Sequence, residues 1–177
     1  MLQQLSRHAV AAFTLILTAV PGTRALAQPA HDSGYLSVTT GANVERAEDG
    51  LAGESAGVGL QAGLTLTRNW ALEFEAWAPA YFRTGDSRHR DILFNVSAVR
   101  FFHDSGVRTF AVIGAGFGIV QQQSEFGKFD GSETYLVFGG GVQIPVGARL
   151  AIVPEVRVNY ALSALIVRPQ VGVRVRF

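Results

Sequence analysis

The sequence predicts an all-β chain: an eight-stranded antiparallel up-and-down transmembrane β-barrel. Three observations carry this expectation. From Gly34 onward, β-rich segments of about ten to fourteen residues recur between polar or glycine-rich breaks, the spacing of antiparallel hairpins. Short and long breaks alternate along the chain. Within the best-defined segments, apolar and charged residues alternate with period two.

The eight segments span residues 34–43, 55–66, 70–81, 91–102, 107–119, 133–146, 150–160 and 166–177. Tight breaks at 67–69, 103–106 and 147–149 alternate with polar ones at 44–54, 82–90 and 120–132, and a short apolar break covers 161–165. This sorting places all long connections at one end of a barrel. In the last segment Val167, Pro169, Val171, Val173, Val175 and Phe177 share one face, and Arg168, Gln170, Gly172, Arg174 and Arg176 the other. The seventh opposes Leu150, Ile152, Pro154, Val156, Val158 and Tyr160 to Glu155, Arg157 and Asn159, and the third opposes Trp70, Leu72, Phe74 and Ala76 to Ala71, Glu73 and Glu75. Pro154 and Pro169 each remove a ladder donor, so a bulge or a local gap in pairing is expected beside them.

Alternation alone also fits a soluble sandwich or a lipocalin-like barrel with its apolar face inward. Two features favour the inverse. Glycines crowd the charged face of the second, fifth and sixth segments (Gly57, Gly59, Gly63; Gly114, Gly116, Gly118; Gly139, Gly141), as a narrow lumen filled by a few long side chains requires. Trp70, Tyr81, Phe82, Phe101, Phe102, Tyr160 and Phe177 fall near segment ends, where aromatic girdles sit.

The segments before Gly34 read as export machinery. Arg7 and His8 precede an apolar run at 9–20, and Pro21-Gly22 and Ala25-Leu26-Ala27 follow, the layout of a cleavable signal peptide over 1–27. The run is shorter than the roughly 20 residues a spanning helix needs. Residues 28–33 then form a short lead-in, and 34–177 the barrel. Removing 1–27 takes away Arg7 and Arg24 and leaves 13 basic against 14 acidic residues in 150, a formal charge of −1. A near-neutral chain without a basic footprint gives no support to nucleic-acid binding. Without cysteine there is neither a disulfide framework nor a thiolate metal site. A chain of this length supplies eight strands and not the 16 or more of an open porin.

The signal ending Ala25-Leu26-Ala27, the Gly114-Ala115-Gly116-Phe117-Gly118 strand and the closing Val171-Gly172-Val173-Arg174-Val175-Arg176-Phe177 together resemble the outer membrane protein β-barrel superfamily. That superfamily includes the transmembrane domain of OmpA and the OmpX-like and OmpW-like proteins. The resemblance covers essentially the whole mature chain. It implies an outer-membrane location, contact with outer-membrane lipid and lipopolysaccharide, and passage through the barrel assembly machinery. Val171, Val173, Val175 and the terminal Phe177 are similar to the signal that machinery reads. No residues follow Phe177, so the peptidoglycan-binding domain of OmpA-type proteins is not expected.

Two groups of charges are candidates for function. Glu73, Glu75 and Glu155 face Arg157, Arg168 and Arg174 across a lumen of low dielectric, where pairing is required. They read as a salt-bridge plug, permanently filled in preference to gating. Arg83, Arg88, His89 and Arg90 in the second long break, beside Asp86 and Asp91, suit phosphates of the outer leaflet, although solvated loop charges account for them as well. Acidic Glu45, Glu48, Asp49 and Glu54 lack the ligand spacing of a cation site. His31-Asp32-Ser33 and His103-Asp104-Ser105 are contiguous and so make no triad. No catalytic residue, metal or cofactor is expected, and a monomer is. The leading expectation is a structural or surface-interaction barrel, ahead of a narrow channel for small or hydrophobic solutes and a lipid A modifying enzyme.

Overall fold

The computed structural model describes residues 33–47, 52–80, 82–84, 87–102, 106–124, 127–162 and 164–177. The expected signal segment and all of its lead-in except Ser33 lie outside these. Nine antiparallel strands follow in order: β1 Gly34–Ala47, β2 Ala52–Thr67, β3 Trp70–Pro79, β4 Phe82–Thr84, β5 Ser87–Phe101, β6 Arg108–Ser124, β7 Gly127–Pro145, β8 Leu150–Tyr160 and β9 Ala164–Arg176. β9 returns to β1, and β3 pairs with β5, so the sheet closes on itself.

Eight walls result because β4 continues β3. Trp77 pairs with Leu93 and Phe82 with His89, one residue out of step. Pro79 ends β3, since it has no N–H to give the ladder. At the other prolines the expected gaps occur on one side only. Pairing between β7 and β8 skips from Gly141↔Glu155 to Ile144↔Ile152 beside Pro154. Pairing between β1 and β9 skips from Gly41↔Gln170 to Val44↔Val167 beside Pro169. The register is the same before and after each gap.

The three breaks expected to be long loops are mostly strand. β1 and β2 stay paired to Arg46↔Ala52, β4 and β5 to Thr84↔Ser87, and β6 and β7 to Ser124↔Gly127. Beyond the apolar band both strand faces are polar, so period two fades from the sequence while backbone pairing continues. Gly127 has φ +135°, a conformation that favours glycine at the tip of the last of these hairpins.

Sidedness follows the sequence pattern. Val38, Leu60, Ile113, Phe117 and Val173 point outward and are exposed, Leu60 by 63 %. The partners of this coat point inward. The two apolar layers inside are Tyr35, Ala71, Val99, Phe101, Phe110, Val112, Ala151 and Val153 near the turn end, and Trp77, Leu93, Tyr135, Ala161, Ala164 and Ile166 near the hairpin end. Phe101 therefore is not a girdle residue: it shares the inward parity of Asp91, Asn95 and Val99 and packs at a tilt against Phe110, ring centroids 5.8 Å apart. Trp70, Phe102, Tyr160 and Phe177 do face outward. The inward glycines make room for the fillers. A Cβ on Gly63 would lie 2.1 Å from the Tyr35 ring, and one on Gly57 2.4 Å from Trp77.

Candidate functional site

Between the two apolar layers lies a polar centre. Alternation puts Glu73 and Glu75 of β3, Glu155, Arg157 and Asn159 of β8, and Arg168, Gln170 and Arg174 of β9 on inward faces, all buried. The six charged residues singled out from the sequence are thus brought together. Arg157 is the hub: its Nη2 bonds Glu73 Oε1 and lies 3.0 Å from Glu155 Oε2, while Nη1 is 3.5 Å from Glu75 Oε2. Arg168 Nη2 donates to Glu75 Oε2 at 2.7 Å and its Nε to Asn159 Oδ1 at 3.1 Å. Arg174 reaches Glu73 Oε2 at 3.4 Å and donates through Nε to Ser37 Oγ at 2.9 Å. Three carboxylates thus meet three guanidinium groups, and burial is tolerable because the charges cancel and hydrogen bonds hold each carboxylate.

Neutral donors complete the centre. Tyr35 donates to Glu73 Oε2 (2.6 Å), Asn95 to Glu75 Oε2 (2.7 Å) and Gln170 to Glu155 Oε1 (2.6 Å), and Gln61 also donates to Glu155 Oε1. Arg174 stacks over the Tyr35 ring at 3.9 Å and Arg168 over Trp77 at 5.1 Å. Sequence reasoning passed over Tyr35, Gln61, Asn95 and Trp77. Strand parity alone marks them: Gln61 shares the face of Gly59 and Gly63, and Trp77 that of Glu73 and Glu75.

A second cluster sits at the mouth, above the layer of Trp77, Leu93 and Tyr135. His89, read from the sequence as one of the loop's phosphate contacts, lies on β5 and turns into the lumen, its Nε2 3.1 Å from Glu45 Oε1 and 3.0 Å from Asp91 Oδ1. The reason is parity, since His89 lies two residues from Asp91 on the lumen face. Tyr135 donates to Asp91 Oδ2 at 2.7 Å, and its hydroxyl lies 3.0 Å from Glu133 Oε2. Arg90 points the other way and donates to Gln121 Oε1 at 2.9 Å. Arg83 and Arg88 lie on β4 and β5, not in a loop, and their side chains fall outside the described residues. So do Glu48 and Asp49, His31-Asp32 and His103-Asp104-Ser105. Val171, Val173, Val175 and Phe177 all face outward from the last wall.

No protein-family model matches the chain, and no curated protein matches it. Solved structures share its fold. Neisserial surface protein A is 13 % identical at a TM-score of 0.73, the match covering 82 % of this chain and 97 % of that one. Ail, the attachment invasion locus protein of Yersinia pestis in complex with the heparin analogue sucrose octasulfate, is 20 % identical at 0.60, covering 82 % and 99 %. The outer membrane enzyme PagL is 14 % identical at 0.51, covering 81 % and 99 %. The chain therefore has the fold of the small eight-stranded outer-membrane barrels.

Proposed function

We propose that the chain is a monomeric outer-membrane β-barrel with a structural or surface-interaction role in a bacterial envelope, its lumen closed by the central ion network. The observation that carries this reading is the pairing of an apolar outward coat with an interior whose arginines and glutamates bond one another. Hydrocarbon solvates such a coat and water does not, while the closed sheet leaves no backbone edge to satisfy. A gate needs charges that can part. Glu73, Glu75 and Glu155 are each held by donors from at least two other walls, so opening must break several charge-assisted bonds together.

At the hairpin end Arg83, Arg88 and Arg90 are the residues we assign to phosphorylated outer-leaflet lipid, and Val171, Val173, Val175 and Phe177 to recognition by the assembly machinery. Ail in complex with a heparin analogue makes ligand binding a concrete use of this fold. PagL carries enzyme chemistry on it; the two His-Asp-Ser runs here do not argue for such chemistry, because contiguity in sequence is not the convergence in space that a triad needs. Two measurements test the reading. The protein in detergent migrates differently on gels before and after boiling, and neither wild type nor Glu155→Ala gives channel steps in a planar bilayer. Identical mobility would refute the barrel in membrane form; stepwise conductance that Glu155→Ala enlarges would replace the plug by a gate.

A further inference from the structure

The mouth cluster differs from the centre in its chemistry. Glu45 comes from β1 and His89 and Asp91 from β5, walls that β2 and β3 separate. One imidazole nitrogen and one oxygen from each carboxylate lie within 4.8 Å of one another. Glu45 and Asp91 are almost fully buried, by 95 and 98 %. Among the described residues, neither carboxylate has an ion pair with arginine or lysine: Glu45 Oε1 and Asp91 Oδ1 meet only the His89 imidazole, and Glu45 Oε2 accepts no hydrogen bond. Asn43, two residues along β1 on the same lumen face, is also buried with both amide atoms unpartnered. Buried acceptors of this kind call for a cation.

We propose that Glu45, His89 and Asp91 bind a divalent transition-metal ion that ties β1 to β5 across the mouth of the barrel. The donor set argues for the class. One imidazole with two carboxylates suits zinc-like ions, whereas magnesium and calcium favour oxygen alone. The apolar layer below isolates the ion from the central arginines, so its charge is balanced locally by the two carboxylates. Tyr135, donating to Asp91 Oδ2, orients that carboxylate with Oδ1 toward the imidazole, as an outer hydrogen bond orients a metal ligand.

The test is calorimetric titration of the folded full-length protein in detergent with Zn²⁺, and separately with Mg²⁺. One Zn²⁺ per chain is expected, with Mg²⁺ much weaker. His89→Gln and Asp91→Asn should each weaken Zn²⁺ binding by about tenfold or more, while His31→Gln and His103→Gln leave it unchanged. No Zn²⁺ binding by wild type, binding indifferent to His89→Gln and Asp91→Asn, or binding lost with His31 or His103 would overturn the site. Should His89→Gln or Asp91→Asn fail to give the heat-modifiable folded band, X-ray absorption of Zn²⁺-loaded wild type decides. One imidazole among oxygen ligands supports the site, and two or more imidazoles, or none, overturn it.

Discussion

The centre of the lumen and its mouth are both polar, both built from inward residues of more than one strand, and they solve the burial of charge differently. At the centre three carboxylates meet three guanidinium groups, and neutral amides and a phenol take the remaining lone pairs. At the mouth two carboxylates share one imidazole. The difference teaches that a filled lumen need not be uniformly satisfied. Charges deep in the barrel must be neutralised by the chain itself, whereas charges at an open end can be neutralised by an ion that enters from outside.

The comparison breaks most severely at its hub. Arg157→Leu leaves Glu73 and Glu155 without their shared cation and should destabilise the barrel by about 3–5 kcal/mol, read as a lower urea midpoint for the folded gel band in detergent. An unchanged midpoint would mean that the centre is not held by its charges. A double-mutant cycle with Glu75→Gln and Arg168→Met should give a coupling of about 0.5–3 kcal/mol, because the pair is direct and buried; additive losses would remove Arg168 from the network. Gly63→Ala acts through packing. Its new methyl would overlap the Tyr35 ring, which is fixed by Glu73 and covered by Arg174, and a cost of about 1–3 kcal/mol is expected in the same titration. Asp91→Asn without added metal should change stability least, by under about 1 kcal/mol, since Glu45 still faces His89 and the amide oxygen still accepts from Tyr135. A loss as large as that of Arg157→Leu would place the mouth on the same footing as the centre.

The sequence made the walls and their sidedness legible because period two survives wherever one face is apolar and the other carries charge. Alternation put Glu73, Glu155 and Arg174 on one face, the glycines crowding the charged face and the aromatics near segment ends turned that face inward, and the prolines announced their gaps through the missing N–H. Legibility ended where alternation ended. Gln121, Gln122 and Gln123 read as loop because both faces there are polar, yet they continue β6. Phe101 and Phe102 are adjacent aromatics, and only the strand's parity sends one inside and leaves the other outside. The meeting of Glu45 with His89 and Asp91 was invisible for another reason. Which residues face each other across a barrel depends on strand tilt and stagger, accumulated around the closure, and no local pattern records it.

The seam between β1 and β9 carries a kinetic consequence. Ser33 donates to the Phe177 carbonyl through both its backbone N–H and its hydroxyl, a contact 144 residues apart in sequence. Every other pair of adjoining walls can form as a local hairpin or short return, but this one requires almost the whole polypeptide to be in hand, the kind of distant pairing that slows folding. Ring closure is therefore expected to come late in folding, and two unzipped edges that had not yet met would stand ready to recruit the wrong neighbour.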